Sequence, residues 1–176
     1  VYDIIKKIKK SADYETMGGA MFLGLKKAVV KAHGNSKSTG IAICIGQAAE
    51  AGFSFGKINL ALCYLHGRGT EQDQEKGVKI LRKLDRDGNT AGTALLADCY
   101  QWGWGIPEPD LAGALKLYRR AAEQEDATAL YQLAILYRDG IGVEPDPALA
   151  RSYLKRTSRS RRAKSVSRVP VSDGSR

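Results

Sequence analysis

The sequence is poor in the residues that hold metals, build disulfide frameworks or span membranes. It has two histidines and three cysteines, Cys44, Cys63 and Cys99, and no Cys–His spacing that suits zinc. Three thiols cannot all pair with one another, which fits a reducing compartment better than a disulfide framework. The longest apolar stretches, Ala20–Leu25 and Ile41–Ile45, are much shorter than the roughly 20 residues of a transmembrane helix. We therefore expect a cytoplasmic protein with no metal and no cofactor.

The net charge of +9 is unevenly distributed along the chain. Residues 1–40 contain eight lysines and three acidic residues, and residues 155–176 contain eight basic residues and one acidic residue. The middle, residues 41–154, contains twelve basic and fifteen acidic residues. With 43% hydrophobic and 27% charged residues, the composition is that of a globular chain. The basic balance therefore does not by itself indicate that the whole chain binds nucleic acid.

An internal repeat runs through the centre and the C-terminal half of the chain. Three segments read Leu-Ala-x-x-Tyr-x-x-Gly-x-Gly and reach an aspartate four or five residues later: Leu60–Asp73, Leu96–Asp110 and Leu133–Asp146. The tyrosines are spaced by 36 and 37 residues, at Tyr64, Tyr100 and Tyr137. Self-similarity at this period predicts stacked supersecondary units.

Each repeat unit predicts a helical hairpin. Leu, Ala and Tyr at positions i, i+1 and i+4 form an apolar face of a first helix, and the two glycines allow a tight helix end. The aspartate is a natural N-cap for a second helix. Four residues after it comes a small residue that allows the helices to approach closely, Gly77, Ala114 or Ala150. One hairpin cannot bury both faces, so we expect the hairpins to stack.

This pattern resembles the Sel-like repeats, helical hairpins of the tetratricopeptide type. The resemblance covers about residues 48–154 and begins with Ala48-Ala49 and Gly52 before the first repeat. It implies a mainly α fold, an α-hairpin solenoid, and a non-catalytic scaffold that binds another protein on its repeat surface. Three residues depart from the family pattern and are expected to loosen local packing: Gly56 and Gly92 replace Ala, and Glu125 replaces Gly.

Residues 1–47 do not follow the repeat. Ala28–Lys31 predicts a short strand, a glycine-containing turn follows, and residues 37–50 have a helical pattern. The start of that helix is a candidate phosphate site, because exposed backbone N–H groups favour anions there. The candidate phosphate-binding residues are Lys31, Gly34, Asn35 and Ser36.

The same segment resembles the C-terminal end of PlsX-type acyl-ACP:phosphate acyltransferases of phospholipid synthesis. The residues that carry the resemblance are Asp13-Tyr14, Gly18-Gly19-Ala20, Leu23-Gly24 and Lys31-Ala32-His33-Gly34-Asn35-Ser36. The resemblance implies His33, Gly34, Asn35 and Ser36 as family-derived catalytic candidates, and it implies acyl carrier protein or a complementing acyltransferase chain as partners. Only about fifty residues match, and that family's main sheet has no counterpart here. We therefore expect this chain alone not to be an enzyme; any activity would be that of an acyl-ACP:phosphate acyltransferase.

The two patterns meet within one helix around Ile41–Glu50. A natural fusion, a truncated gene and an artificial chimera all explain such a junction, and the sequence does not choose among them. Because Ile41, Ile45 and Ala48 form an apolar face, we expect this helix to stack on the first repeat helix.

Exposed aromatic residues at the repeat turns are candidate partner contacts. Trp102 and Trp104 occupy turn positions where the first repeat has His66 and Arg68, and all four are candidates. Exposed tryptophan is a common interface anchor. The alternative is loop packing for the tryptophans and an ordinary exposed turn for His66. Cys63 and Cys99 each precede a repeat tyrosine, where the third repeat has Leu136, so burial is predicted for both.

The last segment, residues 155–176, is predicted to be a basic disordered tail because it has few large apolar residues. The candidates for weak contact with nucleic acid or anionic lipid are Arg159, Arg161, Arg162 and Lys164. The alternative is a solvated tail, and the lack of aromatic residues argues against a specific RNA site. The predicted organisation is thus an acyltransferase-like α/β segment (1–47), Sel-like repeats (48–154) and a tail (155–176).

Overall fold

The computed structural model describes residues 19–22, 29–32 and 45–166, with side chains over residues 45–162. The chain divides into two compact units, Val1–Leu84 and Asp85–Arg176. The described elements are two short strands and seven helices: β1 (Gly19–Phe22), β2 (Val29–Ala32), α1 (residues 45–50), α2 (Ser54–His66), α3 (Gln74–Arg86), α4 (Thr90–Trp102), α5 (Leu111–Glu123), α6 (Ala127–Asp139) and α7 (Pro147–Val166). The predicted mainly α fold is confirmed. No helix in the described residues is long and apolar enough to cross a membrane.

The two strands form an antiparallel pair. Gly19 pairs with Ala32 and Phe22 pairs with Val29. The strand expected at Ala28–Lys31 therefore lies one residue further along the chain, and its partner strand β1 was not expected. The pairing provides hydrogen-bond partners for backbone groups that an isolated strand would expose.

Helix α1 stacks closely on α2, as predicted for the junction; Ile41 of the predicted apolar face lies outside the described residues. Ala48 and Ala49 are buried, and a Cβ atom at Gly56 would lie only 2.7 Å from the Ala48 carbonyl carbon and the Ala49 amide nitrogen. The expectation that Gly56 loosens the packing was wrong. Its missing side chain is what permits the close approach of the two helix backbones.

The three repeat turns share one hydrogen-bond pattern. The amide N–H of each repeat aspartate donates to the carbonyl of the repeat tyrosine, over 2.9 Å for Asp73 and 2.8 Å for both Asp110 and Asp146. The side chains of these aspartates also accept backbone N–H groups in the first turn of the second helix, as predicted for N-caps. The turn of the second repeat is one residue longer, and it has the same hydrogen bond from the aspartate N–H to the tyrosine carbonyl.

The core of the second unit lies between the helices of the second and third hairpins. Tyr118 of α5 is fully buried there, together with Leu130, Leu133 and Leu136 of α6. Ala114 is also fully buried, which confirms the small-residue contact predicted for the second helices. Helix α5 contacts both α4 and α6, whereas α7 packs on α6.

The expectation of a disordered segment from residue 155 onward was wrong over residues 155–166, which continue α7. The Ser160 hydroxyl donates a hydrogen bond to the Glu125 carbonyl over 2.6 Å, and the Arg156 guanidinium donates one to the Ala122 carbonyl over 2.8 Å. Thr157 and Ser160 are buried. Composition suggested disorder because few large apolar side chains are present. This part of the helix instead docks through polar groups that donate to carbonyls at the end of α5 and in the turn that follows it. Residues 167–176 lie outside the described residues.

Candidate functional site

The two candidate tryptophans differ in exposure. Trp102 is the last residue of α4, and its side chain is 58% exposed. Trp104 is less exposed than Trp102, since its side chain is half-buried. Its backbone N–H donates to the Cys99 carbonyl over 3.0 Å in the turn that ends the helix. Trp102 is therefore available to a partner, whereas Trp104 also helps to close the turn.

The equivalent residues of the first unit are both exposed. His66 is the last residue of α2, and Arg68 follows the left-handed Gly67, whose φ is 65°. The Arg68 backbone N–H donates to the Cys63 carbonyl, as Trp104 does to Cys99. The first two hairpins therefore share the same backbone hydrogen bond in this turn, but they carry different side chains at the equivalent positions.

The candidate phosphate site cannot be built from the described residues. The Lys31 backbone lies in β2 opposite Ala20, and His33, Gly34, Asn35 and Ser36 lie outside the described residues. Their proposed roles stay predictions. The basic tail residues fall on α7, where Arg159, Arg161 and Arg162 are exposed; the backbone of Lys164 is helical, and its side chain lies outside the described residues.

A polar cluster that the sequence reasoning missed joins the first helices of the second unit. The Tyr118 hydroxyl donates to Asp98 Oδ1 over 2.5 Å and lies 2.9 Å from Gln101 Oε1. Gln132 Nε2 of α6 donates to the same Asp98 oxygen over 3.3 Å. Asp98 is only partly buried, so its carboxylate remains within reach of solvent.

The position of Asp98 provides a signal that the sequence did contain. In the repeat register the equivalent residues are Leu62 and Ile135, so an acidic residue replaces an apolar one in the second repeat alone. Burial raises the pKa of Asp98 above its usual range, while the hydrogen bonds from Tyr118 and Gln132 lower it. Burial and the nearby Asp98 carboxylate likewise raise the pKa of Tyr118, so the phenol stays protonated and donates.

Two exposed aromatic residues lie on the same two first helices as Asp98 and Gln132. Trp102 lies one turn beyond Asp98 on α4, and Tyr131 precedes Gln132 on α6 and is 46% exposed. We call the set Asp98, Gln101, Trp102, Tyr131 and Gln132 the Asp98 surface. It combines a carboxylate acceptor with apolar contact area, the combination that recognises a protein segment carrying a hydrogen-bond donor.

The two thiols of the repeats are buried. Cys99 is fully buried and Cys63 nearly so, as predicted from their repeat positions. Burial raises the pKa of Cys99 to about 12, and it also raises the pKa of Cys63. Since the thiolate is the reactive form, the raised pKa makes both thiols weaker nucleophiles than an exposed cysteine.

A stack of rings and guanidinium groups joins α5, α6 and α7. The Tyr137 and Tyr153 rings stack with centroids 5.8 Å apart, with Arg119 over the first ring and Arg156 over the second. Arg119 also donates to the Tyr137 hydroxyl over 2.5 Å. Because these cations already have partners within the fold, we assign the stack to helix docking rather than to ligand binding.

Comparison with known proteins divides the chain at about residue 54. The fatty acid synthesis protein family matches residues 2–54, and the Sel1 repeat family matches residues 54–84, 91–126 and 127–160. The three Sel1 matches correspond to the hairpins α2–α3, α4–α5 and α6–α7.

Individual relatives fall into the same two groups. The phosphate acyltransferase of Thermoanaerobacterium thermosaccharolyticum is 52% identical over 48 residues, which is 27% of this chain and 14% of that protein. The ERAD-associated E3 ubiquitin-protein ligase component HRD3B of Arabidopsis thaliana is 30% identical over 99 residues, 56% of this chain and 15% of that protein. The chain thus spans about a seventh of the length of these relatives.

Among solved structures, the Sel1 repeat protein from Oxalobacter formigenes superposes with a TM-score of 0.61 and 27% identity. The match covers 70% of this chain and 50% of that chain. The matched repeats make up more than half of the sequence, and the helices follow the same hairpin architecture. The chain therefore belongs to the Sel1 repeat family.

Proposed function

We propose that this chain is a non-catalytic scaffold that binds another protein on its Sel1 repeats. The observation that carries the proposal is the Asp98 surface, where Trp102 and Tyr131 are exposed on the two helices that bear Asp98 and Gln132. Tryptophan and tyrosine are enriched among the residues that anchor protein interfaces. HRD3B is named as a component of a ligase, which is consistent with a subunit role for Sel1 repeats.

The chemistry of the Asp98 surface indicates what the partner presents. Asp98 Oδ1 is occupied by Tyr118 and Gln132, whereas Oδ2 has no hydrogen bond among the described residues. The free oxygen accepts from a lysine, an arginine or a backbone amide of the partner. Apolar groups of the same partner segment cover Trp102 and Tyr131.

The proposal is tested by quantitative pull-down with the full chain and single variants. A bound protein should be retained by the wild type and by Phe55→Ala, a matched control in which an exposed aromatic of the first unit is removed. Trp102→Ala and Tyr131→Ala should each weaken binding by about tenfold or more. Equal retention by all of these chains would contradict the assignment of the Asp98 surface.

A second candidate function rests on the match of residues 2–54 to the fatty acid synthesis family. We infer that this segment acts only together with acyl carrier protein or with a complementing acyltransferase chain. The purified chain should form no acyl phosphate from acyl carrier protein and phosphate. Turnover that disappears in His33→Ala would contradict the non-catalytic assignment.

We place the protein in the cytoplasm. Cys63 and Cys99 are free thiols in the structure and fit a reducing compartment. Fractionation of cells that produce the chain tests this assignment, and recovery from the membrane or the culture medium would contradict it.

A further inference from the structure

Helix α7 differs from the other long helices in charge. Over Pro147–Val166 it has seven basic residues and no acidic residue. Helix α3, by contrast, has two acidic residues, Glu75 and Asp85, as well as basic ones. Three of the cations, Arg151, Lys155 and Arg159, follow one another at intervals of four residues and are all exposed. Successive members are thus separated by about 6 Å along the helix. We call these three residues the cationic stripe.

The cationic stripe has no compensating partner in the part of the chain whose side chains are described. The ion pairs there involve Lys76, Arg120, Arg138 and Arg156, and none involves the stripe. Like charges four residues apart on a helix repel one another and destabilise it. A helix that retains such a row is typical of a surface that meets an anionic partner.

The docking of α7 holds the stripe in a fixed orientation. Arg156 and Ser160 bind carbonyl groups at the end of α5 and in the turn that follows it, and Thr157 is buried. These docked residues leave the stripe on the outer side of the helix. Its cations can therefore contact a flat surface together without first ordering a flexible chain.

One apolar side chain decides which anionic surface fits best. Leu154 is 42% exposed and lies on the helix within one turn of both Arg151 and Lys155. The headgroup boundary of a bilayer accepts an apolar side chain among cations, and a nucleic-acid phosphate backbone offers no such environment. No aromatic residue accompanies the stripe for stacking on bases.

We propose that the outer face of α7 binds the surface of anionic phospholipid membranes through the cationic stripe, with Leu154 at the headgroup boundary. The binding is peripheral and electrostatic. Each lysine or arginine close to an anionic leaflet strengthens binding by about fivefold. It should weaken as salt screens the charges.

The test is sedimentation of the full chain with vesicles of phosphatidylcholine containing about 30% phosphatidylglycerol, in low and in high salt. The triple variant Arg151→Gln, Lys155→Gln and Arg159→Gln should bind about 100-fold more weakly than the wild type. The matched control Lys79→Gln, Arg82→Gln and Arg86→Gln removes three exposed cations from α3 and the same net charge. It should retain most of the binding.

Three outcomes would overturn the proposal. Undiminished binding by the α7 triple variant would show that the stripe is not the contact. An equal loss of vesicle binding in the α3 control would show that binding depends on the net charge alone and not on the cationic stripe. Binding of a short duplex DNA that depends on the stripe, without binding of the anionic vesicles, would assign the surface to nucleic acid instead. Circular dichroism of each variant shows that glutamine, a good helix former, has left the fold intact.

Discussion

Helices α5 and α7 hold the same place in successive hairpins but have different surroundings. Counted from the capping aspartates, Leu115 and Tyr118 of α5 correspond to Arg151 and Leu154 of α7. The α5 residues are buried between α4 and α6, and the α7 residues are exposed. The polarity of these residues thus matches the surroundings of each helix. The face of α5 that bears Leu115 and Tyr118 is apolar and covered, whereas the equivalent face of α7 bears Arg151 and is exposed to water.

The largest predicted effect comes from truncating the equivalent side chains of the two helices. Tyr118→Ala should lower the free energy of unfolding by about 3–5 kcal/mol, because it opens a cavity and removes a hydrogen-bonded hydroxyl from a closed core. Leu154→Ala should change it by no more than about 0.5 kcal/mol. Urea denaturation followed by circular dichroism measures both. Similar losses for the two variants would mean that the face of Leu154 is covered.

The next effect tests whether the end of α7 is part of the fold. Removal of residues 155–176 takes away the hydrogen bonds of Arg156 and Ser160 and should cost about 2 kcal/mol. The melting temperature should then fall by about 4–8 °C. The matched control removes residues 167–176 alone and should leave the melting temperature unchanged. An unchanged melting temperature for the longer truncation would restore the interpretation of a tail from residue 155.

A smaller effect concerns the turn on which α7 docks. Glu125 has a φ of 56°, in the left-handed region that favours glycine. Its side chain also pairs with Arg156 over 2.7 Å. Glu125→Gly and Glu125→Ala remove the same ion pair, so their difference isolates the backbone. The glycine variant should be more stable than the alanine variant by about 1 kcal/mol in urea denaturation. Equal stabilities would show that the turn adopts another conformation.

The smallest effect is the pH dependence introduced by Asp98. Burial raises its pKa in the folded chain, so the folded state binds the proton more tightly than the unfolded state. The stability from this group is complete below the unfolded pKa of about 4 and is lost as the pH rises through the folded pKa. Asp98→Asn, which does not ionise, should therefore gain stability relative to the wild type as the pH rises above about 4. Unfolding curves at several pH values measure this difference, and a difference that shrinks with rising pH would reverse the assigned cause.

The turns could be predicted from sequence because their causes are local. Asp110 caps α5 through an N–H group three residues away, and Gly103 adopts a left-handed conformation directly after α4. The Asp98 surface could not be predicted in the same way. Tyr118 and Gln132 lie 20 and 34 residues from Asp98, so their contact depends on how the helices pack.

The sequence by itself determined the repeat period, the hairpins, their caps and the identity of the family. These features follow from spacing, helix periodicity and turn chemistry, which act over a few residues. Only the tertiary structure decided that Gly56 allows a close helix approach, that Ser160 docks α7, and that Asp98 meets Tyr118. The physical reason is that neighbouring residues in the sequence do not determine what a polar side chain or a glycine contributes to stability. Its contribution depends on the atoms that the fold brings within hydrogen-bond or van der Waals distance.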